Sequence, residues 1–341
     1  MLYSAKALLM KKVIEKKQRN QPFNYQAGES FSLKGDEDWT INNSYYFSAH
    51  GSDTSFYCRL GIRNIHNEVW FYYSDGKKRY SLKRMLFKQN CPLSIYKTND
   101  TWHIQFYGQI EDEQGNIVDA KFDGEFASGE QPIDFFSNMP PIRTAKAMAF
   151  EKWNKQFFAE VQRNNQVHYE QTGSLHGTLI LNKESIKLSL PCVRDHSYGK
   201  RDWNYMNNHL WMMAVNEHSQ LNFSMVSYPA MTMLEVGNFK AKDKSMAYIL
   251  KADYDRSLIG KGVTPEEFAV TLKLTDKSNI SVKATIENGE EYIFQDGQYR
   301  LIENIANFEI DGEKYRGIFE IGFNGDKSRW FNSIKERKLK S

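Results

Sequence analysis

The amino-acid sequence predicts a mainly β protein built from two antiparallel β units that are joined by a helix. Short segments rich in aromatic and β-branched residues recur along the 341 residues, with Gly, Asn and Asp turn signals between them. Aromatic residues make up 14% of the chain, enough to form sizeable cores. Helical patterns do not alternate with these segments, which argues against a doubly wound parallel sheet.

The first element predicted is a short amphipathic helix within an N-terminal arm, residues 1–25. Its apolar residues recur at helical spacing among lysines: Leu2, Ala5, Leu8, Leu9, Val13 and Ile14. We expect this helix to dock on the protein's own surface, and a membrane-surface helix is the alternative. Lys6, Lys11 and Lys12 interrupt the apolar stretch, so it does not resemble a secretory signal.

The first β unit is expected over residues 26–140, because the hydrophobic period changes to two. The best strand candidates are 44–48, 56–62, 69–73 and 101–107, and the last of these alternates as a half-buried antiparallel strand does. Turn signals at 74–76 and 113–116 separate the strands. The spacing suits a sandwich or an up-and-down barrel.

A connecting helix is predicted over residues 141–167, after a proline-rich break. Its apolar stripe consists of Ile142, Ala145, Met148, Ala149, Trp153 and Phe157. A second β unit of similar size is expected over 168–330, with strands about every ten residues, and a basic tail over 331–341. The two halves together indicate a tandem β-barrel protein.

The charge balance and the absence of several known motifs argue against a number of functional classes. The 45 Lys and Arg nearly balance the 42 Asp and Glu, giving a net charge of +3, which argues against a nucleic-acid or anionic-membrane binder. The sequence contains no phosphate-binding glycine loop, no H-E-x-x-H, no C-x-x-C and no G-x-S-x-G. We therefore expect no cofactor and no metal. Three cysteines without metal-ligand spacing suggest reduced thiols and a cytoplasmic location.

The segment 192–204 has an unusual density of polar and aromatic residues: two Arg, a Lys, two Asp, a His, a Tyr and a Trp. We expect it to form a loop at a barrel mouth, where sites concentrate. If Asp195 is partly buried, desolvation raises its pKa and lets it act as a general acid, whereas Arg194 or Arg201 nearby would lower that pKa. His196 would relay the proton or orient the carboxylate. The alternative is a structural Arg–Asp clasp that pins the loop.

Residues 194–203 closely resemble the R-D-H-S-[WY]-G-x-R-D-W signature of the tandem lipocalin-like superfamily that includes carotenoid 1,2-hydratase (hydroxyneurosporene synthase). Further similarity lies at Trp39 with residues 44–47, at 59–64, at 169–171 with Gly177, and at 315–320. The resemblance thus covers most of residues 30–325.

This resemblance implies two packed lipocalin-like β-barrels with an apolar ligand cavity. It also implies that Asp195, followed by His196, is the acid that protonates an alkene, and that aromatic rings stabilise the resulting carbocation. Tyr198 stands where the hydratases carry Trp, and Arg194 stands where they carry an aromatic residue.

The leading functional hypothesis is a protein that binds a hydrophobic isoprenoid-, lipid- or polyketide-like molecule in a β-barrel cavity and catalyses hydration, isomerisation or cyclisation on it. Asp195 and His196 are the predicted catalytic residues. The predicted ligand-binding residues are Arg194, Tyr198, Arg201, Trp203, Trp211 and Met213. One alternative is a non-catalytic ligand or pigment binder, and another is a scaffold that docks a partner protein.

Overall fold

The computed structural model describes residues 2–33, 38, 40–163, 166–259, 262–287, 289–295 and 297–330. Trp39 and the predicted basic tail 331–341 lie outside the described residues. Mainly β structure is confirmed, and the strands form two closed eight-stranded antiparallel barrels.

The first barrel closes in the order β11, β1, β2, β3, β4, β7, β8 and β10, with β10 returning to β11. Its sheet consists of β1 (Ile41–His50), β2 (Ser55–Ile62), β3 (Asn67–Ser74), β4 (Arg79–Ser81), β5 (Leu86–Phe87), β6 (Leu93–Thr98), β7 (Thr101–Asp112), β8 (Ile117–Ala127), β9 (Ile133–Asp134), β10 (Gln166–Leu181) and β11 (Glu184–Lys200). Its interior is packed with apolar side chains, among them Phe47, Phe56, Phe71 and Phe122.

The second barrel closes in the order β17, β16, β15, β14, β13, β12, β20 and β19, with β19 returning to β17. Its strands are β12 (Asn208–Val215), β13 (Gln220–Tyr228), β14 (Met231–Lys240), β15 (Ala247–Tyr254), β16 (Glu267–Leu274), β17 (Asn279–Ile286), β18 (Glu290–Phe294), β19 (Tyr299–Ile310) and β20 (Glu313–Asn324). Its interior is also packed with apolar side chains, such as Met212, Phe223 and Phe319.

The burial pattern along the strands shows where the two barrels contact each other. In β8 and β16 exposed and buried residues alternate strictly, because one face lines a barrel and the other meets solvent. In β12 and in nearly all of β3, by contrast, both faces are buried. These strands lie where the outer faces of the two barrels pack together, and a third apolar cluster fills this contact.

The helices lie outside the barrels and are α1 (Leu2–Asn20), α2 (Tyr25–Glu29), α3 (Pro141–Ala149) and α4 (Lys155–Arg163). The predicted connecting helix is therefore two shorter helices. In α1, Met10 and Ile14 pack against residues of α3, whereas Leu8 and Leu9 are exposed. No helix within the described residues is long and apolar enough to cross a membrane.

Two expectations about the segment around residue 195 differ from the structure. Residues 192–200 are part of the long strand β11, not a loop. Strands β10 and β11 pair with β8 and β1 in the first sheet, whereas the predicted boundary at residue 168 would place them in the second unit. Hydrogen bonding to β1 and β10 on both sides holds this polar segment extended, an effect that its own composition does not encode.

Candidate functional site between the barrels

One row of side chains crosses the outer face of the first barrel. The paired residues on β10, β11, β1, β2 and β3 are Glu170, Asp195, Tyr46, Arg59 and Trp70. Residues paired directly across a ladder project to the same side of the sheet, so all five point towards the second barrel. We call these five residues the first row.

A second row crosses the facing surface of the second barrel. On β14, β13, β12, β20 and β19 the paired residues are Val236, Ser224, Trp211, Glu320 and Glu303. The hydroxyl of Tyr46 donates a hydrogen bond to Glu303 and so joins the two rows.

A cavity of about 200 Å³ lies between the rows. Its walls include Tyr46, Arg59, Trp70, His168 and Asp195 from the first barrel, His209, Trp211, Ser224, Val236 and Glu320 from the second, and Arg201, Trp203 and Met206 from the segment between them. The sequence analysis expected the cavity inside a barrel. It lies between barrels instead, because apolar side chains pack both interiors and the polar groups face outward.

Asp195 forms part of a cluster with two residues of β10. His168 Nδ1 lies 3.3 Å from Asp195 Oδ2, and His168 Nε2 lies 3.2 Å from Glu170 Oε1. His168 and Glu170 are two residues apart on one strand and therefore share a face. Glu170 also accepts a hydrogen bond from the amide of Asn222 on the second barrel.

Burial and mutual charge set the protonation of this cluster. Burial raises the pKa of Asp195, with His168 and Arg201 opposing the shift. Burial also raises the pKa of Glu170 to about 7. For His168 burial lowers the pKa, but the carboxylates of Asp195 and Glu170 outweigh it and raise the pKa overall. The pKa values of all three groups are therefore raised, and proton transfer is most efficient for groups whose pKa lies near the working pH.

The same three residues bring possible metal-ligand atoms within 4.8 Å of one another. Asp195 and Glu170, however, contact different nitrogens of the His168 ring. The two carboxylates thus lie on opposite edges of the imidazole. This geometry is that of a histidine held between two acids, not of three ligands that converge on one ion.

The opposite wall carries a second cluster around Glu320. His209 Nε2 lies 2.5 Å from Glu320 Oε1, and His209 Nδ1 lies 2.6 Å from the hydroxyl of Tyr299. Glu303 lies beside Glu320 on the neighbouring strand. Burial and the charge of Glu320 raise the pKa of Glu303 well above its ordinary range. Burial opposes ionisation of Glu320 too, but His209 outweighs it and lowers the pKa of Glu320.

Four residues predicted from the sequence line the cavity: Asp195, Arg201, Trp203 and Trp211. Met213 projects from the same face of β12 as Trp211 and packs in the apolar contact between barrels. Met212, between them on β12, faces the opposite way and packs in the interior of the second barrel.

Arg194, His196 and Tyr198 point away from the cavity, because successive residues of β11 face opposite sides. Arg194 Nη2 lies 2.7 Å from Glu29 Oε1, and its guanidinium stacks on Trp102 inside the first barrel. His196 Nε2 lies 2.7 Å from Asn43 Oδ1. Tyr198 stacks on Phe31, with ring centroids 4.8 Å apart.

Two expectations are corrected by this alternation. His196 is not the partner of Asp195, a position that His168 occupies. Burial and then the charge of Arg194 lower the pKa of His196 well below its ordinary range, so His196 is neutral. Arg194 is also not among the principal influences on the pKa of Asp195, which is raised rather than lowered.

The sequence analysis did not identify His168, His209, Glu303 or Glu320 as candidate site residues. His209 is only 6% exposed. A signal was present for His168, because it lies next to residues 169–171 and shares a strand face with Glu170. Glu320 lies at the end of residues 315–320, which the resemblance also covered. Neither signal reveals that these residues face Asp195.

A larger groove of about 510 Å³ lies against the second barrel beside α1 and α3. Its buried ionisable groups are engaged with one another, since Glu235 accepts hydrogen bonds from Arg143, Tyr254 and Arg256. The smaller cavity between the rows is the better candidate, because its acids have shifted pKa values and face the open space.

A family model described as a domain of unknown function (DUF7064) matches residues 34–325. No curated protein matches the sequence.

Among solved structures, an AttH protein from Nitrosomonas europaea superposes with a TM-score of 0.58 at 10% identity, covering 89% of this chain and 97% of that one. Kievitone hydratase from Nectria haematococca gives a TM-score of 0.49 at 11% identity, covering 88% and 92%. CghA with Sch210972 gives 0.49 at 9% identity, covering 84% and 89%. The first similarity shows the fold alone and confirms the predicted tandem lipocalin-like barrels.

Proposed function

The chain belongs to the family described as domain of unknown function DUF7064, and we propose that it binds a hydrophobic small molecule between its barrels and performs acid–base chemistry on it. The observation that carries this proposal is Asp195, a buried carboxyl group with a raised pKa that faces the cavity. A raised pKa increases the fraction of a carboxyl group that carries a proton at a given pH, and the group can release that proton to a bound molecule.

His168 is the group that would exchange protons with Asp195. It contacts Asp195 through one ring nitrogen and Glu170 through the other, so a proton given up by Asp195 can be replaced along this chain. Glu170 does not line the cavity with Asp195 and instead contacts Asn222 at the far end of the cluster. In this arrangement Asp195 touches the substrate, and His168 and Glu170 are positioning residues.

Glu320 and His209 provide a second acid–base pair on the opposite wall. Two such groups, one on each barrel, would let a proton be added to one side of a bound molecule and removed from the other. Hydration of a double bond, double-bond isomerisation and cyclisations that begin with protonation all use such paired proton movements. The assignment of Asp195 as the principal group follows from its pKa, since the pKa of Glu320 is lowered.

The other cavity walls suit an apolar molecule. Trp70, Trp203 and Trp211 line it together with Tyr46 and Tyr228. Large rigid rings of this kind bury much apolar surface at a small cost in conformational entropy. Most ligand sites likewise combine aromatic walls with a few polar groups.

A non-catalytic ligand-binding protein is the second candidate. The contacts of His168 with Asp195 and Glu170 tie β10 to β11, which is what a purely structural ion-pair cluster would also do. This candidate predicts a bound molecule but no chemical change in it.

The test begins with organic extraction and native mass spectrometry of the purified protein, to identify the molecule that it carries. Incubation of that molecule with the protein in D₂O then measures deuterium incorporation and product formation. We expect wild-type protein to catalyse exchange and Asp195→Asn to lose it by about 100-fold or more, because the variant keeps the shape but lacks the proton.

Asp123→Asn is the matched control, because Asp123 is exposed on β8 of the same barrel. It should leave the exchange unchanged. If Asp195→Asn catalyses exchange as fast as wild type, Asp195 is not the proton donor. If the molecule binds both proteins and neither changes it, the non-catalytic candidate is correct.

A further inference from the structure

Helix α1 has two apolar faces, and the described part of the chain covers only one of them. On the inner face, Met10 and Ile14 are buried against α3. On the outer face, Leu9 and Val13 lie one turn apart and are 57% and 53% exposed. We call Leu9 and Val13 the outer stripe, and Leu8 beside it is exposed as well. Exposed apolar side chains that adjoin one another commonly mark a binding surface.

Basic side chains flank the outer stripe on both sides. Each residue turns an α-helix by about 100°, which places Lys12 and Lys16 on one side of the stripe and Lys17 on the other. All three lysines are exposed. The single acid of α1 is Glu15, which lies at least about 120° around the helix from the stripe. Its carboxylate is 3.1 Å from Lys11 Nζ, so within α1 the stripe is bordered by cations.

Positive charge is concentrated in the helical layer to which α1 belongs. Helix α1 has six Lys and Arg and one Glu, and residues 141–163, which contain α3 and α4, have five Lys and Arg and two Glu. The two stretches together carry +8, whereas the whole chain carries only +3. Both acids of residues 141–163 are engaged, because Glu151 accepts a hydrogen bond from Thr232 and Glu160 accepts one from Tyr205. The near balance of the whole chain therefore averages a positive helical layer with a negative remainder.

An exposed aromatic ring lies next to the same layer. Phe158 of α4 is 45% exposed and packs against Trp153, with ring centroids 6.0 Å apart. The other neighbour of Trp153 is α1, since Lys6 Nζ lies 4.7 Å from the centroid of the indole. Phe158 is thus joined to α1 through one side chain and adds an aromatic group to the exposed apolar surface.

The charge of this surface distinguishes between its possible occupants. A bilayer with anionic lipids offers negative headgroups to the lysines and an apolar boundary to the leucine, valine and phenylalanine side chains. Long lysine side chains can reach the headgroups while their stems lie along the apolar region. A second copy of the chain fits poorly, because a symmetric dimer through this face would bring two positive layers together.

We propose that α1 and Phe158 dock the protein on the surface of a membrane that contains anionic lipids, with α1 lying parallel to that surface. The outer stripe and Phe158 enter the boundary between headgroups and acyl chains, and Lys12, Lys16 and Lys17 contact the headgroups. The docking surface is separate from the cavity between the barrels. The inference therefore goes beyond the proposed function and does not depend on it.

The experiment measures co-sedimentation of the full chain with two kinds of vesicle. One kind contains phosphatidylcholine alone, and the other contains phosphatidylcholine with phosphatidylglycerol as the anionic lipid. We expect wild-type protein to bind the anionic vesicles at least about tenfold more tightly, because several lysines act together near the charged surface. Added salt should reduce this difference, since it screens exposed charges.

The apolar contribution is tested by the double substitution Leu9→Gln and Val13→Gln. Both side chains are exposed, so the fold should be retained, and binding to the anionic vesicles should weaken about tenfold. The matched control is Ile117→Gln with Ile293→Gln, two isoleucines that are 66% and 55% exposed on strands β8 and β18. The control should bind as wild type does.

The electrostatic contribution is tested by the double substitution Lys12→Glu and Lys16→Glu. This change should weaken binding to the anionic vesicles at least about tenfold. Lys273→Glu with Lys283→Glu is the matched control, because it changes the net charge equally at exposed positions on strands of the second barrel. Its affinity for the anionic vesicles should remain close to that of wild type.

Equal binding to the two vesicle types, binding to neither, or losses in the α1 variants no larger than those in their controls would overturn the proposal. A second copy of the chain is the occupant if wild-type protein ignores both vesicle types and forms a dimer in analytical ultracentrifugation that Leu9→Gln with Val13→Gln abolishes. These measurements involve no substrate, so their outcome is independent of the deuterium exchange that tests the proposed function.

Discussion

The two rows that face each other across the cavity arrange their acids in the same way but differ in which acids a histidine contacts. Each places two acids directly opposite one another on neighbouring strands: Glu170 and Asp195 in the first row, and Glu303 and Glu320 in the second. In the first row His168 contacts both acids. In the second row His209 contacts Glu320, and no histidine in the described part of the chain is paired with Glu303.

The position of the histidine ring relative to the two acids of its row influences the pKa values of those acids. Between two acids, His168 allows the three groups to share protons, and the pKa of Glu170 is about 7. Without such a bridge, burial and the adjacent Glu320 raise the pKa of Glu303 well above its ordinary range. The first row therefore contains an acid that exchanges its proton near neutral pH, whereas in the second row burial and the neighbouring acid favour the protonated form of Glu303.

The largest effect is expected from Glu170→Gln on the pH dependence of stability. The ordinary pKa of 4.5 is raised to about 7 on folding, so the folded state holds the proton more tightly. This contribution is fully present below pH 4.5 and is lost as the pH rises through 7. Across that range we expect the free energy of unfolding of wild-type protein to fall by about 3 kcal/mol relative to that of Glu170→Gln, as measured by urea unfolding.

Glu267→Gln is the control for this measurement, because Glu267 is exposed at the start of β16. Its pH profile should follow that of wild type. Parallel profiles for wild type and Glu170→Gln would show that Glu170 has an ordinary pKa and that the two rows do not differ in this way.

A smaller effect on the free energy of unfolding is expected from substitutions in the second row at pH 7. Glu320→Gln replaces an ionised group that contacts His209 and should lower the free energy of unfolding by about 2 kcal/mol. Glu303→Gln puts a neutral amide in place of a carboxyl group whose raised pKa favours its neutral form, and it should change the free energy of unfolding by less than about 0.5 kcal/mol. Equal losses in the two variants, measured by urea unfolding, would contradict the assigned protonation states.

The smallest effect is expected from Tyr46→Phe, which removes the hydroxyl that joins the rows. Loss of its hydrogen bond to Glu303 should cost about 1 kcal/mol by thermal or urea unfolding. Tyr73→Phe removes a hydroxyl from the opposite face of the same sheet and should cost less. If both variants lose equal stability, the bond between the rows contributes nothing measurable.

Much of the fold could be predicted from local sequence patterns. The period of two in 101–107 and the turn signals around it indicate half-buried strands, and β7 spans Thr101–Asp112. The same reasoning did not predict a strand over the polar residues 192–200, because Arg, Asp and His in succession are not typical of a buried strand. Pairing with β1 and β10 and burial between the barrels fixed that conformation.

The candidate site was predicted in part. Asp195, Arg201, Trp203 and Trp211 were identified because they cluster within a short stretch of sequence. His168 and Glu320 lie far from Asp195 along the chain, and only strand pairing and barrel packing bring them to the same cavity. Sequence proximity suggested His196 instead, although adjacent strand residues point to opposite faces.

The sequence by itself determined that this chain forms antiparallel strands, since hydrophobic period and turn chemistry are local properties that each segment carries alone. It also determined which segment is rich in reactive groups. Only the tertiary structure decided that β10 and β11 complete the first barrel and that the cavity lies between two packed barrels. The physical reason is that register, face and desolvation depend on partners far away in the chain, and these set the pKa values of Asp195, His168 and Glu303.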